Sequence, residues 1–393
     1  MNEAAHPSIA RSTAGSRAPT VLQVLPKLES GGVERGTCDV AAALARAGWR
    51  AIVASAGGPM TRELERAGAH HVALPLDSKN PLVMRRNVAR LASLIKAHDI
   101  DIVHARSRAP AWSARAAARR TGRRFVTTFH GTYGHANPIK RRYNRIMTGG
   151  DKVIAISEFI AGHVREIYGV DDERLVVIPR GVDIARFDPA AVSAERMIQL
   201  ARAWRLPDDM PVVMLPGRLT RWKGQGVLID ALAELGRRDL RCLLVGSSNG
   251  RRRYRREIEQ RIQKRGLEPV VAIIEDCTDM AAAYLLADVV VSASTEPEAF
   301  GRVAAEAQAM GRPVIASDHG GARETVLPGE TGWLVPPGDA SALAKTLKTA
   351  LALDSETREA VAVAAREHVG AHFTAERMCA ETLAVYEALL APR

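Results

Sequence analysis

The chain has 393 residues, 47% of them hydrophobic and 25% charged, an ordinary globular composition with room for two domains. Its longest apolar runs are of strand length, far short of the roughly 18 residues needed to span a bilayer, and Cys38, Cys242, Cys277 and Cys379 form no C-x-x-C pair; a transmembrane segment, a zinc ribbon and a disulfide framework are excluded, and a cytoplasmic location is expected. The net charge of +11 favours anionic partners, but with 4% aromatic residues there is no platform on which bases would stack, so nucleic acid is not an expected partner.

Residues 1–18 carry Arg11 and Arg17 among Ser, Ala and Gly without an apolar run, and read as a disordered lead-in, not a secretory signal. Seven short apolar runs follow, at 21–25, 51–55, 71–74, 101–105, 125–129, 152–156 and 175–178, separated by segments of helical periodicity. Continuous apolar strands alternating with amphipathic helices predict a parallel sheet covered on both faces, and define a first Rossmann-like domain over 19–200. The pattern breaks at Pro179, Gly181 and Pro189 and passes through a polar helix near 194–204. Strands resume at 212–216, 242–245, 270–274, 289–292, 313–316 and 333–335, giving a second α/β doubly wound domain over 201–374. Helices at 356–373 and 375–390 close the chain, and 375–393 is expected to pack back on the first domain. Two such domains direct the carboxyl ends of both sheets, where open α/β sheets bind ligands, at one central cleft.

The densest motif is T-E-P-E-A-F-G-R-V-A-A-E, residues 295–306, directly after a strand. Seven residues separate Glu298 from Glu306; along a helix start that is about 12 Å. One carboxylate could take sugar hydroxyls and the other ribose hydroxyls, with the amides of Phe300, Gly301 and Arg302 facing a pyrophosphate between them. A single Glu here would more often complement the helix dipole or face solvent, but the continuation A-M-G-R-P-V-I-A at 309–316 decides for function. In P-G-R-L-T-R-W-K-G, residues 216–224, Arg218 and Lys223 can reach one diphosphate from a strand-end loop, although alone this would be an ordinary basic turn. Gly31 and Gly32, in E-S-G-G-V-E-R, let the backbone approach a phosphate at a helix start; the pattern lacks the further glycine and acid of a nicotinamide site. His130 ends a strand and can donate to a sugar hydroxyl or a phosphate, or be purely structural.

These motifs resemble the retaining GT-B glycosyltransferases of family 4, whose hallmark is two glutamates with seven residues between them ahead of an A-x-G-x-P-V-I-A run. The resemblance runs from about residue 19 nearly to the end, with Ala299 standing where the family often has Gly and Arg180 where it commonly has Asn. It implies a GT-B fold and anomeric retention. It also implies a diphosphate neutralised by Arg218 and Lys223 without metal or other cofactor, a donor-sugar contact from His130, and a nucleobase pocket near Asp276. Residues 22–36 and 104–110 look like bacterial enzymes of lipopolysaccharide or other cell-surface glycan assembly, so the expected partners are a UDP- or GDP-sugar and a glycan or lipid-linked acceptor. The basic stretch 140–145, on the acceptor side, adds peripheral contact with the anionic inner face of the cytoplasmic membrane as an expectation. Arg180 could contact a phosphate or the acceptor, or form a salt bridge. Asp99-Ile100-Asp101 spells a metal-binding D-x-D but falls at the amino edge of a strand, and the arginines at 251–256 read as a solvated helix face. The rivals are a nucleotide-sugar 2-epimerase of the same fold and an inactive nucleotide-sugar-binding subunit.

Overall fold

The computed structural model describes residues 17–29, 31–134, 137–248, 250, 252–275 and 277–392, so most of the lead-in and Asp276 lie outside the described residues. The strands are β1 (Thr20–Val24), β2 (Arg50–Ser55), β3 (His70–Ala73), β4 (Ile102–Ala105), β5 (Arg124–Phe129), β6 (Lys152–Ala155) and β7 (Leu175–Val177). They continue with β8 (Val212–Pro216), β9 (Arg241–Val245), β10 (Val271–Ile274), β11 (Val289–Ser292), β12 (Val314–Ser317) and β13 (Gly332–Val335). Each apolar run of the sequence becomes one of these strands, to within a residue or two at its ends.

Two sheets result, one in the order β3-β2-β1-β4-β5-β6-β7 and one in the order β10-β9-β8-β11-β12-β13. All five pairings of the second sheet are parallel. By compactness the chain divides into one unit of residues up to 105 with 109–125, and a second of 106–108 with 126–391. The first unit holds β1 to β4, where β1 pairs in parallel with both β2 and β4. The second holds β5 from Val126 onward and β6 to β13.

The six-stranded sheet stands on a continuous core. Val213, Leu215, Leu244, Val289 and Val291 are sealed from solvent and pack against Leu228 and Leu232 of the helix Gln225–Leu235 and Leu347 of the helix Ala340–Leu351. β-Branched side chains suit strands buried on both faces, and each strand so buried leaves only its end loops free for chemistry. The strand order reverses between β8 and β11, so the loops leaving those two strands diverge and open a crevice at their carboxyl ends. The C-terminal helix Ala375–Leu390 lies beside β7, with Ala384 and Val385 facing Val177 and Ile178 across an apolar groove.

Candidate active site at the ends of strands β8 and β11

Beyond Pro216 the chain passes Arg218 and makes a single 3₁₀ turn, Arg221–Lys223, before the helix Gln225–Leu235 begins. The Gln225 side chain donates to the carbonyl of Arg218 at 3.0 Å, fixing the loop backbone. Beyond β11 the second loop is fastened to the first, since Thr295 N donates to Trp222 O at 2.7 Å. Across this junction Lys223 Nζ donates to Glu298 Oε1 at 2.7 Å, with both side chains 12% exposed. Ser292 Oγ donates to the same carboxylate at 3.3 Å, and Ser294 Oγ also donates to it. Burial alone would push the Glu298 carboxyl up, but the Lys223 ammonium and the three hydrogen bonds outweigh it and hold the group below its ordinary value. Glu298 is therefore a carboxylate at neutral pH. Arg218, on the same loop as Lys223, is exposed and forms no side-chain ion pair among the described residues.

The backbone of Glu298 is as closely held as its side chain. Gly321 N donates to Glu298 O at 2.8 Å. Gly320, at φ +60, passes so near that a Cβ there would lie 2.4 Å from the same carbonyl, so only glycine fits. Ala299 O accepts from Ser157 Oγ at 2.6 Å, while Ser157 also caps the helix Glu158–Tyr168. The amides of Glu158 and Phe159 donate to Glu324 at 2.9 and 2.8 Å. The Glu298 loop is thereby tied to the segment that follows β6.

Glu306 differs. It accepts from Tyr284 Oη at 3.0 Å and from Arg302 Nε at 2.6 Å. Burial, reinforced by the Glu306 carboxylate, pushes the Tyr284 hydroxyl well above its ordinary value, so it stays protonated and donates. The expectation that both glutamates share one helix start needs correction, because the helix is Arg302–Ala309. Gly301 precedes it at φ +87, a left-handed conformation through which no α-helix runs. Glu298 therefore sits in the loop, and the 12 Å helical rise does not describe the pair. Of the three amides expected to face a pyrophosphate, only that of Arg302 belongs to the first turn; the Phe300 side chain is buried edge-on against Phe373, with ring centroids 5.5 Å apart.

The other candidates are distributed as follows. His130, after β5, is joined to Arg180, whose Nη2 lies 2.8 Å from His130 Nδ1. Gly31 and Gly32 lie in the first unit, Gly31 extended at φ −176 and Gly32 opening the helix Gly32–Arg46. Asp276 lies outside the described residues. Asp101 of the D-x-D accepts from Arg17 at 3.0 and 2.6 Å and from Thr20 N at 2.8 Å, which makes it part of the strand-edge scaffold. Among the described residues no His, Cys, Asp and Glu side chains group in a way that could hold a metal ion. Of the arginines at 251–256, Arg251 lies outside the described residues, while on the helix Arg252–Lys264 Arg253 pairs with Glu257 and Arg255 with Glu259 and Glu275. Sequence reasoning missed Ser292, Ser294, Tyr284 and Gly320. The S-A-S at 292–294 was the available signal: hydroxyls at the mouth of an otherwise apolar strand.

Residues 30–186 match Glycosyltransferase Family 4, and residues 198–368 match Glycosyl transferases group 1. A glycosyltransferase of Rickettsia africae ESF-5, known from its crystal structure, is 39% identical; the match covers 96% of this chain and 100% of that one at a TM-score of 0.90. The chain belongs to the group 1 glycosyltransferases. Another solved structure, Anabaena Alr3699/HepE in complex with UDP-glucose, is 27% identical over 93% of this chain and 99% of that one, with a TM-score of 0.81. Among curated relatives, D-inositol 3-phosphate glycosyltransferase of Xylanimonas cellulosilytica is 36% identical over 228 residues, 56% of this chain and 54% of the relative. The chain thus spans about half the length of that relative. In this group 1 glycosyltransferase the GT-B fold is as expected, and Arg218, Lys223, Glu298, Arg302 and Glu306 all fall within the group 1 match.

Proposed function

We propose that the protein transfers a sugar from a nucleoside diphosphate sugar to a hydroxyl of a glycan or lipid-linked acceptor, with retention of the anomeric configuration. The observation that carries this reading is the buried Lys223–Glu298 pair at the β8/β11 crevice, with the exposed Arg218 on the same loop as Lys223. Lys223 gives one N–H to Glu298 and keeps two for phosphate oxygens, and the Arg218 fork supplies a second cation. As the bond from the anomeric carbon to the diphosphate oxygen breaks, the growing charge on that oxygen is met by groups already in place. The acceptor oxygen bonds to the anomeric carbon on the face the diphosphate leaves, and the acceptor proton departs with the nucleoside diphosphate. Glu298 contacts the donor sugar, Glu306 exchanges its Arg302 bond for ribose hydroxyls, and His130 donates to the sugar.

The cations supplied by Lys223 and Arg218 leave no step that calls for a divalent metal. UDP-glucose in the HepE complex supports a UDP-sugar as the first donor to try. The cell-surface acceptor rests on the likeness of residues 22–36 and 104–110, whereas the name of the Xylanimonas relative offers inositol 3-phosphate as the competing acceptor. No helix among the described residues is long and apolar enough to cross a membrane. The short helix Pro138–Asn144 exposes Ile139 (79%) next to Lys140 and Arg142, which supports peripheral contact with anionic lipid.

The test supplies UDP- and GDP-sugars with lipid-linked glycan or inositol 3-phosphate acceptors, before and after exhaustive chelation, and reads the product anomer by proton NMR. Transfer with the donor's anomer, surviving chelation, is expected. An inverted product, turnover restored only by magnesium or manganese, or epimerised donor without an acceptor would contradict it.

A further inference from the structure

Arg180 stands in P-R-G-V-D just after β7, and its guanidinium is directed at an imidazole instead of a carboxylate: Nη2 lies 2.8 Å from His130 Nδ1. A guanidinium has five N–H donors, no acceptor, and no proton to lose in the working range, so in this contact the imidazole nitrogen must accept. An imidazolium would set two N–H groups and two positive charges against each other. We propose that Arg180 is a positioning residue that fixes His130 as the neutral tautomer with its hydrogen on Nε2. This rests on the reading that His130 contacts the donor.

Both ends of the bond are anchored by main chain. On one side of Arg180, Ile178 N donates to Ala155 O at 2.9 Å. On the other, Val182 N donates to Phe373 O at 2.7 Å and Val182 O accepts from Ala375 N at 2.8 Å. Gly181 runs so close to this junction that a Cβ would fall 2.3 Å from Ala375 Cα, so the arginine is followed by the one residue that lets the two chain segments meet. Arg180 itself is only 9% exposed. At the other end His130 directly follows β5, and its amide faces the Tyr133 hydroxyl at 3.4 Å. Tyr133 is held in turn by Phe129, at 4.8 Å between ring centroids, and by the Arg108 guanidinium 4.1 Å from its ring. Little freedom remains for either side chain to turn away.

The chemical consequence is a division of the imidazole. Nδ1 is filled by Arg180, and Nε2 bears a hydrogen, so His130 acts as a hydrogen-bond donor through Nε2 and not as a base. A donor at that nitrogen suits a sugar hydroxyl or a phosphate oxygen. It also gives a role to the arginine at a position where the resembled family commonly carries asparagine: the longer side chain reaches the ring with a group that can only donate.

Ring-¹⁵N histidine NMR on the full chain reads the tautomer directly, with the His130→Phe variant assigning the resonance. Measured above histidine's ordinary titration range, His130 in the wild type should be the Nε2–H form. In Arg180→Leu the Nδ1–H form should appear, with kcat lowered about tenfold and the affinity for UDP unchanged. Arg180→Lys, which still donates, should restore the wild-type tautomer. An Nδ1–H wild type, or an Arg180→Leu protein with the wild-type tautomer, would overturn the proposal; if the leucine variant does not fold, the wild-type spectrum alone decides. Undiminished turnover in His130→Phe would instead remove His130 from the reaction and leave the tautomer assignment intact.

Discussion

Glu298 and Glu306 are the same residue type, with seven residues between them in one motif, yet they occupy opposite situations. Glu298 is in a loop, held by a buried lysine, two serine hydroxyls and a main chain clamped by Gly320 and Gly321. Glu306 is on a helix, held by a buried tyrosine and by Arg302, its own neighbour one turn back and 34% exposed. The first arrangement is complete before any ligand arrives. The second has one bond, to Arg302, that a ligand hydroxyl can replace, because that guanidinium is 34% exposed and can turn to water when it is displaced. Preorganisation is therefore concentrated at Glu298, where the proposed reaction develops charge, and exchange is left to Glu306, which the proposal assigns to the nucleotide.

The harshest way to break the contrast is Lys223→Ala. It strands a buried carboxylate, so stability should fall by about 3 kcal/mol in urea unfolding, and UDP affinity should fall about ten- to hundredfold in titration calorimetry. Adding Glu298→Gln should recover part of the stability and none of the affinity. The same lysine sets the acid behaviour. Since the folded Glu298 carboxyl lies below its ordinary value of 4.5, the stability it contributes is present above that value and is lost as pH falls through the lower folded one. In Lys223→Ala, burial acts unopposed and pushes the carboxyl up, so the acid limb of the stability profile should move to higher pH. A profile with an unmoved acid limb would show that Lys223 does not hold the charge.

Smaller effects sharpen the other side. Tyr284→Phe removes one buried hydroxyl from Glu306 and should cost about 1 kcal/mol in stability. Arg302→Ala should cost about 1 kcal/mol in stability, less than Lys223→Ala because Tyr284 still donates to Glu306, and should leave UDP affinity equal or slightly raised, because the guanidinium no longer competes for the carboxylate. A large loss of UDP affinity in Arg302→Ala would instead make Arg302 a ligand of the nucleotide.

The fold was legible because strands buried on both faces must be written in continuous apolar residues, and runs such as V-V-M-L and V-V-V announce β8 and β11 without help from tertiary context. Lys223 and Glu298 were legible as candidates from their motifs, but their mutual contact was not, since 75 residues separate them and only the pairing of β8 with β11 brings the two loops together. The helix start was misplaced by four residues because Gly301 reads equally as a helix residue and as a left-handed stop, a choice made by the packing of the loop against residues 320–325. Arg180 could be noticed as a departure, while its partner 50 residues earlier, at the end of a different strand, could not be guessed from charge.

The most direct test of the division between the two glutamates is steady-state kinetics together with UDP titration on Glu298→Gln and Glu306→Gln. Glu298→Gln should lower kcat about a hundredfold or more with little change in the Kd for UDP, because its contact strengthens where charge develops. Glu306→Gln should raise the Kd for UDP about tenfold with a smaller change in kcat. If Glu298→Gln loses UDP affinity and keeps its turnover while Glu306→Gln does the reverse, the account is contradicted.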